Sequence, residues 1–162
     1  MNPLSSPIPY EVSQVGIVAH DLDVAMQRYT AQHGWGPWSV YEYAPPQLHE
    51  LRQHGEPASF TWIGAEVMVG HVNVEVLAPV SGGGLFAEWL DAHGEGVHHV
   101  GYEVATIEEA QEIHAAFEAT GATELASAWI GGVWFYYMDT APVIFEVWAG
   151  EMSTVTASRT YP

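Results

Sequence analysis

Two glutamates stand in the middle of apolar, β-rich segments of the sequence. Glu75 lies within residues 73–78 (NVEVLA) and Glu146 within residues 144–149 (IFEVWA). An ionised carboxylate inside an apolar strand costs several kcal/mol unless it is paired with a cation or bound to a metal ion. The chain contains no lysine that could neutralise either group. Because two carboxylates balance the charge of one divalent ion, the pair predicts a metal site.

An internal repeat supplies two further candidate ligands. Residues 14–18 (QVGIV) and residues 99–103 (HVGYE) are both followed by a polar position and an amphipathic stretch, and they begin with Gln14 and His99. Amide oxygen and imidazole nitrogen are neutral donors, and a mixed set with carboxylates suits zinc, nickel, cobalt, manganese or iron(II). The hypothesis is a single site with four ligands: Gln14, Glu75, His99 and Glu146.

The repeat predicts the same order of elements in each half, namely a strand, a helix and three further strands. Asp21 and Thr106 are the polar residues expected to cap the two helices. Aligning Gln14 with His99 also aligns Gly16 with Gly101. The expected strands are 14–18, 38–43, 58–66 and 73–78 in the first half, and 99–103, 124–130, 133–138 and 144–149 in the second; the helices extend to about His33 and Thr120.

Strand side chains alternate in direction, which decides what can meet at the site. If each half curls its strands into a cup, the polar residues of its first and last strands come together. Alternation also places His98 on the face opposite His99. The predicted fold class is therefore α+β, with two tandem βαβββ modules that form an open β-cup around a metal site.

The chain is divided into four parts. We expect a first module at residues 10–80, a linker with a short helix at 81–96, a second module at 97–150 and a C-terminal tail at 151–162 that is frayed. Residues 44–57 carry three prolines among mixed polar residues and are expected to be a loop over the site.

The composition of the chain limits the molecules that the protein can bind and the chemistry that it can carry out. Twenty acidic residues against three arginines give a formal net charge of −17, which disfavours nucleic acid and anionic membrane surfaces. There is no cysteine, so disulfides and thiolate chemistry are excluded. The N-terminal segment MNPLSSPIPY lacks the basic start and apolar stretch of a secretory signal. A cytoplasmic protein is the expectation.

These residues together resemble the vicinal-oxygen-chelate superfamily, which includes glyoxalase I, methylmalonyl-CoA epimerase, extradiol dioxygenases and bleomycin-resistance proteins. The likeness covers residues 12–150. Its most specific stretch is residues 86–104 (FAEWLDAHGEGVHHVGYEV), which looks strongly like that of methylmalonyl-CoA epimerases. Those epimerases usually have histidine in place of Gln14 and often glutamine in place of Glu75. The ligand positions of the superfamily match the four candidates: Gln14, Glu75, His99 and Glu146.

The resemblance implies a metal-dependent isomerase, epimerase or lyase that moves a proton next to a carbonyl through a metal-stabilised enediolate. It implies one divalent ion (zinc, nickel, cobalt or manganese), with iron(II) ranked lower because His99 is the sole histidine at a ligand position. Glu146 is implied to be both ligand and proton carrier. Glu42, near the end of the second strand, is the candidate for a second base. A homodimer is expected because dimers are common in the superfamily.

The substrate class and two other functions remain open at this point. Seven tryptophans and few cations favour a small molecule that is weakly charged and aromatic, and they argue against anionic CoA thioesters or glutathione adducts. One alternative is a metal-free protein that binds an aromatic ligand, as drug-resistance members of the superfamily do. Another is an iron(II) dioxygenase, or a hydrolytic lyase, of the same fold.

Overall fold

The computed structural model describes residues 11–162. Two predictions fall on residues 1–10, outside the described part: the lack of a secretory signal and the first residue of the 10–80 module. The first half contains β1 (Gln14–Val18), α1 (Leu22–His33), β2 (Trp38–Tyr43), β3 (Leu48–Gln53), β4 (Glu56–Pro57), β5 (Thr61–Val69) and β6 (Val72–Ser81). The remainder contains α2 (Leu85–His93), β7 (Gly96–Glu103), α3 (Ile107–Ala119), β8 (Thr123–Ile130), β9 (Gly132–Asp139), β10 (Ile144–Glu151), a 3-10 turn (Met152–Thr154) and β11 (Arg159–Tyr161).

The eleven strands form one open sheet in the order β11-β2-β5-β6-β1-β7-β10-β9-β8-β3-β4. Its centre consists of two four-stranded halves that meet where β1 pairs antiparallel with β7. In each half the first strand runs parallel to the last, β1 beside β6 and β7 beside β10. This arrangement is the predicted α+β fold of two βαβββ modules, and a β3–β4 hairpin is inserted in the first of them.

The two long helices form where the repeat predicts them. The side chain of Asp21 accepts a hydrogen bond from the Val24 backbone N–H at the start of α1, and Thr106 does the same for Glu109 at the start of α3. These bonds satisfy donors that a helix start leaves free. α1 ends at Gly34, whose φ of 70° is the left-handed conformation that glycine adopts without steric strain.

The two long helices, α1 and α3, cover one face of the sheet and leave the other face for the site. Buried residues of α1 pack against Val74 and Val76 of β6, while buried residues of α3 pack against Val147 of β10. The neighbours of these valines point to the opposite side, which we call the cup face. The short helix α2 packs on that side, because Phe86 shares a cluster with Val18, Leu77 and Tyr137.

Two segments depart from the prediction. Residues 44–57 were expected to be a loop, but they contain β3, which pairs with β8, and the short strand β4. The C-terminal tail was expected to be frayed, but β11 pairs with β2. Both strands are mostly exposed, so they lack the apolar pattern by which a strand is recognised. They are held by backbone pairing and by a few anchors such as Leu48 and Tyr161.

The two added strands cross between the modules. β3 leaves the first module and pairs with the outer strand of the second, while β11 leaves the second module and pairs with the outer strand of the first. The tail contacts the second module on its way, since Thr154 accepts a hydrogen bond from the Gly132 backbone N–H. Within residues 11–162, no helix has both the length and the apolar character needed to cross a membrane.

Candidate metal centre

The four predicted ligands lie on the four adjacent strands at the centre of the sheet. Gln14 is on β1, Glu75 on β6, His99 on β7 and Glu146 on β10, and all four are at most 7% exposed. His99 is central to the group. Its Nε2 lies 3.0 Å from Glu146 Oε2, 3.3 Å from Gln14 Oε1 and 3.7 Å from Glu75 Oε2. Gln14 and His99, which are 85 positions apart in the sequence, thus lie in contact at the site.

Glycines of the repeat create the space for these side chains. In the β1–β7 pairing, Gly16 lies opposite His99 and Gln14 lies opposite Gly101. A Cβ atom on Gly16 would be 2.0 Å from His99 Cε1, well inside van der Waals contact. A Cβ on Gly101 would be 2.6 Å from the ring of Trp148 and 3.0 Å from Gln14 Oε1. Each half therefore supplies a ligand and the empty position that the ligand of the other half occupies.

The donor set fits a divalent metal ion. Glu75 Oε2 and Glu146 Oε2 are buried and have no hydrogen-bond partner among the described residues, because the 3.0 Å approach of His99 lacks hydrogen-bond geometry. A buried carboxylate oxygen without a partner is costly unless a cation compensates it. Atoms of Glu75, His99 and Glu146 lie within 4.8 Å of one another. Ligand atoms about 2.1 Å from an ion are themselves separated by about 3 Å, and the three other donors lie 3.0–3.7 Å from His99 Nε2.

The carboxylates change how His99 titrates. Burial lowers the pKa of the imidazole, but Glu146 and Glu75 outweigh burial and raise it to about 9. Burial, helped by Glu146, raises the pKa of Glu75. Tyr43 donates a hydrogen bond of 3.1 Å to Glu75 Oε1, whereas His99 approaches Oε2 of the same carboxylate. Without a metal, the cluster retains a proton on His99 near neutral pH.

His98 lies directly behind His99. A register shift in the β1–β7 pairing turns it out of the regular alternation. The prediction that His98 faces the opposite side of the strand is wrong, because its ring packs edge-on against Phe86, Trp89 and Tyr137 on the cup face. Its Nδ1 lies 3.0 Å from Nδ1 of His99. Burial, together with His99, lowers the pKa of His98 to about 2, so this ring is neutral.

A cavity of about 270 Å³ opens beside the cluster. Its walls combine polar groups of the first module with apolar groups of the second, and Met152 and Val155 of the tail also contribute. The lining comprises Gln14, Tyr41, Tyr43, Glu66, Glu75, Ile130, Val133, Phe135, Glu146, Trp148, Met152 and Val155. The site can thus hold a small molecule next to three carboxylates.

Sequence reasoning missed one of these carboxylates. Glu66 lies on β5 directly opposite Glu75 on β6, and burial followed by the charge of Glu75 raises its pKa to about 7. The signal was present, because Glu66 is also a single carboxylate in an apolar strand (TWIGAEVMV). It was overlooked because the predicted strand ended at this residue.

Glu42, the candidate second base, is not brought to the cluster. Its side chain is exposed, and it alternates with Tyr41 and Tyr43, which do line the cavity. Glu42 instead borders a separate cavity of about 110 Å³ next to Gln47 and Thr154. The geometry therefore does not support a role for Glu42 in proton transfer at the four-residue cluster.

Comparison with known families agrees with this architecture. The model of the glyoxalase/bleomycin resistance protein/dioxygenase superfamily matches residues 13–133. The chain belongs to this superfamily, as the resemblance in the sequence indicated. The matched segment includes Gln14, Glu75 and His99 and ends before Glu146. No curated protein matches the sequence.

Solved structures share the fold at low sequence identity. A hypothetical protein from Bacillus halodurans C-125 has a TM-score of 0.62 and 18% identity, covering 87% of this chain and 94% of that chain. Methylmalonyl-CoA epimerase from Mycobacterium tuberculosis has a TM-score of 0.59 and 17% identity, covering 86% and 87%. A variant of the Streptomyces coelicolor methylmalonyl-CoA epimerase, in complex with 2-nitronate-propionyl-CoA, gives 0.59 and 17%, covering 92% and 98%. Identities this low establish a common fold only.

Proposed function

We propose that the protein is a metal-dependent isomerase, epimerase or lyase that moves a proton next to a carbonyl group of a small molecule. The observation that carries this proposal is the pair of buried carboxylate oxygens, Glu75 Oε2 and Glu146 Oε2, which converge on His99 without hydrogen-bond partners among residues 11–162. They stand at the wall of a cavity large enough for a small substrate. The chain's superfamily contains metalloenzymes, which supports the same proposal.

The ligands would be Gln14, Glu75, His99 and Glu146. The two carboxylates neutralise a divalent ion, and the amide oxygen and imidazole nitrogen add no charge, so the loaded site is compatible with burial. Zinc, nickel, cobalt and manganese suit this mixed set, and iron(II) ranks lower with a single histidine. When bound, the ion supplies positive charge that stabilises negative charge developing on adjacent substrate oxygens.

The surrounding side chains are placed to transfer a proton, to position a ligand and to exclude water. Glu146 borders the cavity, so its carboxylate is placed to accept a proton from a substrate carbon and return it. Tyr43 holds Glu75 by its hydrogen bond to Oε1 and thereby fixes the direction of Oε2. Phe135 and Trp148 exclude water from the opposite wall. A low-polarity environment of this kind strengthens the electrostatic effect of the charged groups.

The substrate is expected to be weakly charged. The chain has three arginines and no lysine, and no arginine is among the residues that line the cavity. The similar structure from Streptomyces coelicolor is described in complex with a CoA compound, which supports a small-molecule ligand. A CoA thioester carries several phosphates, however, and the cavity provides no basic side chain to receive them.

Metal content is the decisive measurement. Wild type and the variants Glu146→Gln and Glu75→Gln are purified without added metal and analysed by inductively coupled plasma mass spectrometry, with exposed Glu42→Gln as the matched control. We expect about one equivalent of zinc, nickel, cobalt or manganese in wild type and control, and little in the two site variants. Iron would favour the dioxygenase alternative. If no sample contained metal, even after reconstitution, the remaining function would be that of a metal-free protein that binds an aromatic ligand.

The reaction class is tested separately. Small carbonyl compounds with a hydrogen on the adjacent carbon are incubated in D₂O with the metal-loaded protein, and NMR follows the loss of that hydrogen signal. Exchange that depends on Glu146 supports proton transfer next to a carbonyl. Consumption of oxygen without exchange would contradict it.

A further inference from the structure

Glu66 is a carboxylate that the ligand set does not use. It lies opposite Glu75 in the β5–β6 pairing and borders the cavity. Asn73 donates a hydrogen bond of 2.8 Å to its Oε2. Among residues 11–162 no hydrogen bond is formed to its other oxygen, Oε1. Glu66 therefore offers a free acceptor beside the metal cluster.

The charge balance leaves Glu66 without a cation. A divalent ion would be neutralised by Glu75 and Glu146 alone, so a third carboxylate makes the loaded cavity negative. The arginines of the chain are engaged elsewhere. Arg28 pairs with Glu95 at 3.1 Å, Arg52 donates to the Gly55 carbonyl, and Arg159 pairs with Asp23. With the arginines engaged, a cationic group of the bound molecule is the partner that fits Glu66.

The shape of the site indicates where such a group would lie. Glu66 and Tyr41 border both the metal cavity and a second, more open cavity of about 370 Å³, which is also lined by Ser39 and Asn73. They thus stand at the junction of the two spaces. The facing wall of the metal cavity is apolar. A ligand that spans the junction meets apolar groups on one side and a carboxylate on the other.

We infer that Glu66 is a specificity-determining residue that selects substrates with an amine group beyond their two chelating oxygens. The inference rests on the proposed function, because it places those oxygens at the metal cluster. A protonated amine donates to Glu66 Oε1 and restores charge balance in the cavity, which is the strong, charge-assisted type of hydrogen bond. A carboxylate or phosphate at the same place is repelled.

The test uses three hydroxamates, which chelate a divalent ion through two neighbouring oxygens. Benzohydroxamate is neutral beyond the chelating group, 4-(aminomethyl)benzohydroxamate carries an amine, and 4-carboxybenzohydroxamate carries an anion. Their Kd values are measured by calorimetry at about pH 8, where amine and carboxylates are charged. The proteins are the metal-loaded wild type, Glu66→Gln and the control Glu42→Gln, whose carboxylate lies outside the metal cavity.

We expect wild type and Glu42→Gln to bind the amine probe at least about tenfold more tightly than the neutral probe, and the anionic probe more weakly still. In Glu66→Gln the amine-to-neutral ratio falls to about one. Equal Kd values for the three probes in wild type overturn the inference, as does an unchanged ratio in Glu66→Gln. Failure of the proposed function is seen separately, because wild type would then hold no metal and would not bind benzohydroxamate.

Discussion

Gly16 and His99 face each other across the β1–β7 pair, and a single added methyl group on Gly16 would lie 2.0 Å from the imidazole ring. The ring therefore occupies the volume that any other residue at position 16 would fill. Gly101 stands in the same relation to Gln14, at 3.0 Å. Each glycine of the repeat thus leaves the space that a candidate ligand from the other half occupies. The packing of each half therefore depends on the glycine of the other.

Gly16→Ala is expected to prevent metal binding at the four-residue site. Gly16 does not have a left-handed φ, so the backbone tolerates alanine and the effect is purely steric. His99 must move, and metal content should fall to a small fraction of the wild-type value. Overpacking of this kind also lowers the free energy of unfolding by about 1–3 kcal/mol. Mass spectrometry and urea denaturation measure the two effects.

The matched control for this substitution is Gly96→Ala. A Cβ at Gly96 would meet no atom within 4 Å, although the residue lies on the same strand as His99. We expect metal content and stability to be unchanged. A fully loaded Gly16→Ala protein would show that His99 is not held where the ligand set requires it.

His98→Phe is expected to weaken metal binding while the fold persists. When Nε2 of His99 binds an ion, its Nδ1 carries the ring hydrogen and donates it to Nδ1 of neutral His98, 3.0 Å away. Phenylalanine fills the aromatic surroundings but cannot accept this hydrogen bond, and loss of such an outer contact lowers metal affinity about 10–100-fold. Competition with a chromogenic chelator measures the change. His93→Phe, at an exposed ring stacked on Trp89, is the control and should bind metal as wild type does.

Metal affinity should rise with pH between about 7 and 9. The pKa of His99 in the metal-free protein is raised to about 9, so the imidazole is protonated at neutral pH and must lose that proton to bind an ion. Because binding releases this proton, the association constant should rise about tenfold per pH unit while one proton is displaced. Above about pH 9 the affinity should level off. A pH-independent Kd across this window would contradict ligation through His99.

Removing the metal should lower the melting temperature. An ion that binds only the folded state at about 100 times its Kd adds about 2.7 kcal/mol. For a chain of this size that corresponds to a shift of about 5–10 °C. Differential scanning fluorimetry with and without a chelator measures it. Glu146→Gln should show no shift, and a wild type that melts at the same temperature in chelator would speak against a resident ion.

Deletion of residues 152–162 should open the cavity without removing the ligands. Met152 and Val155 line the cavity, and Ser158 donates its backbone N–H to the Val40 carbonyl beside β11. Loss of these contacts should weaken benzohydroxamate binding, while metal content stays near wild type. Loss of Val155 and Tyr161, which pack against two core clusters, should also lower the free energy of unfolding by about 2 kcal/mol or more. Unchanged binding would show that the tail does not shape the site.

Much of this arrangement could be predicted from the sequence because the chain is repetitive. The alignment of Gln14 with His99 predicts the order of elements, and the helix caps at Asp21 and Thr106 are where it places them. Strand alternation then brings the four candidate ligands to one face. Long-range register was inferred from the repeat, since no local pattern relates Gln14 to Glu146.

The features that were missed depend on contacts that local patterns do not record. His98 leaves the regular alternation because of a register shift that is specific to the β1–β7 pair. β3 and β11 are exposed strands whose pairing partners are distant in sequence. Glu66 stands at the end of the predicted strand, and its pairing with Glu75 on the neighbouring strand is seen only in the folded sheet. Glu42 was selected by sequence position near the end of β2, whereas its side chain points away from the cluster.

The crossing of β3 and β11 has a consequence for how copies of this molecule can meet. Each module lends a strand to the outer edge of the other, so within residues 11–162 the sheet ends in strands of only two and three residues, β4 and β11. β4 covers only Arg52 and Gln53 of β3, and β11 covers only residues 38–40 of β2. Edges this short and interrupted offer few consecutive free backbone groups to a neighbouring chain. Edge-to-edge joining and fibrous aggregation are thereby disfavoured. We therefore expect the predicted homodimer to be built from side-chain surfaces and not from a continued sheet.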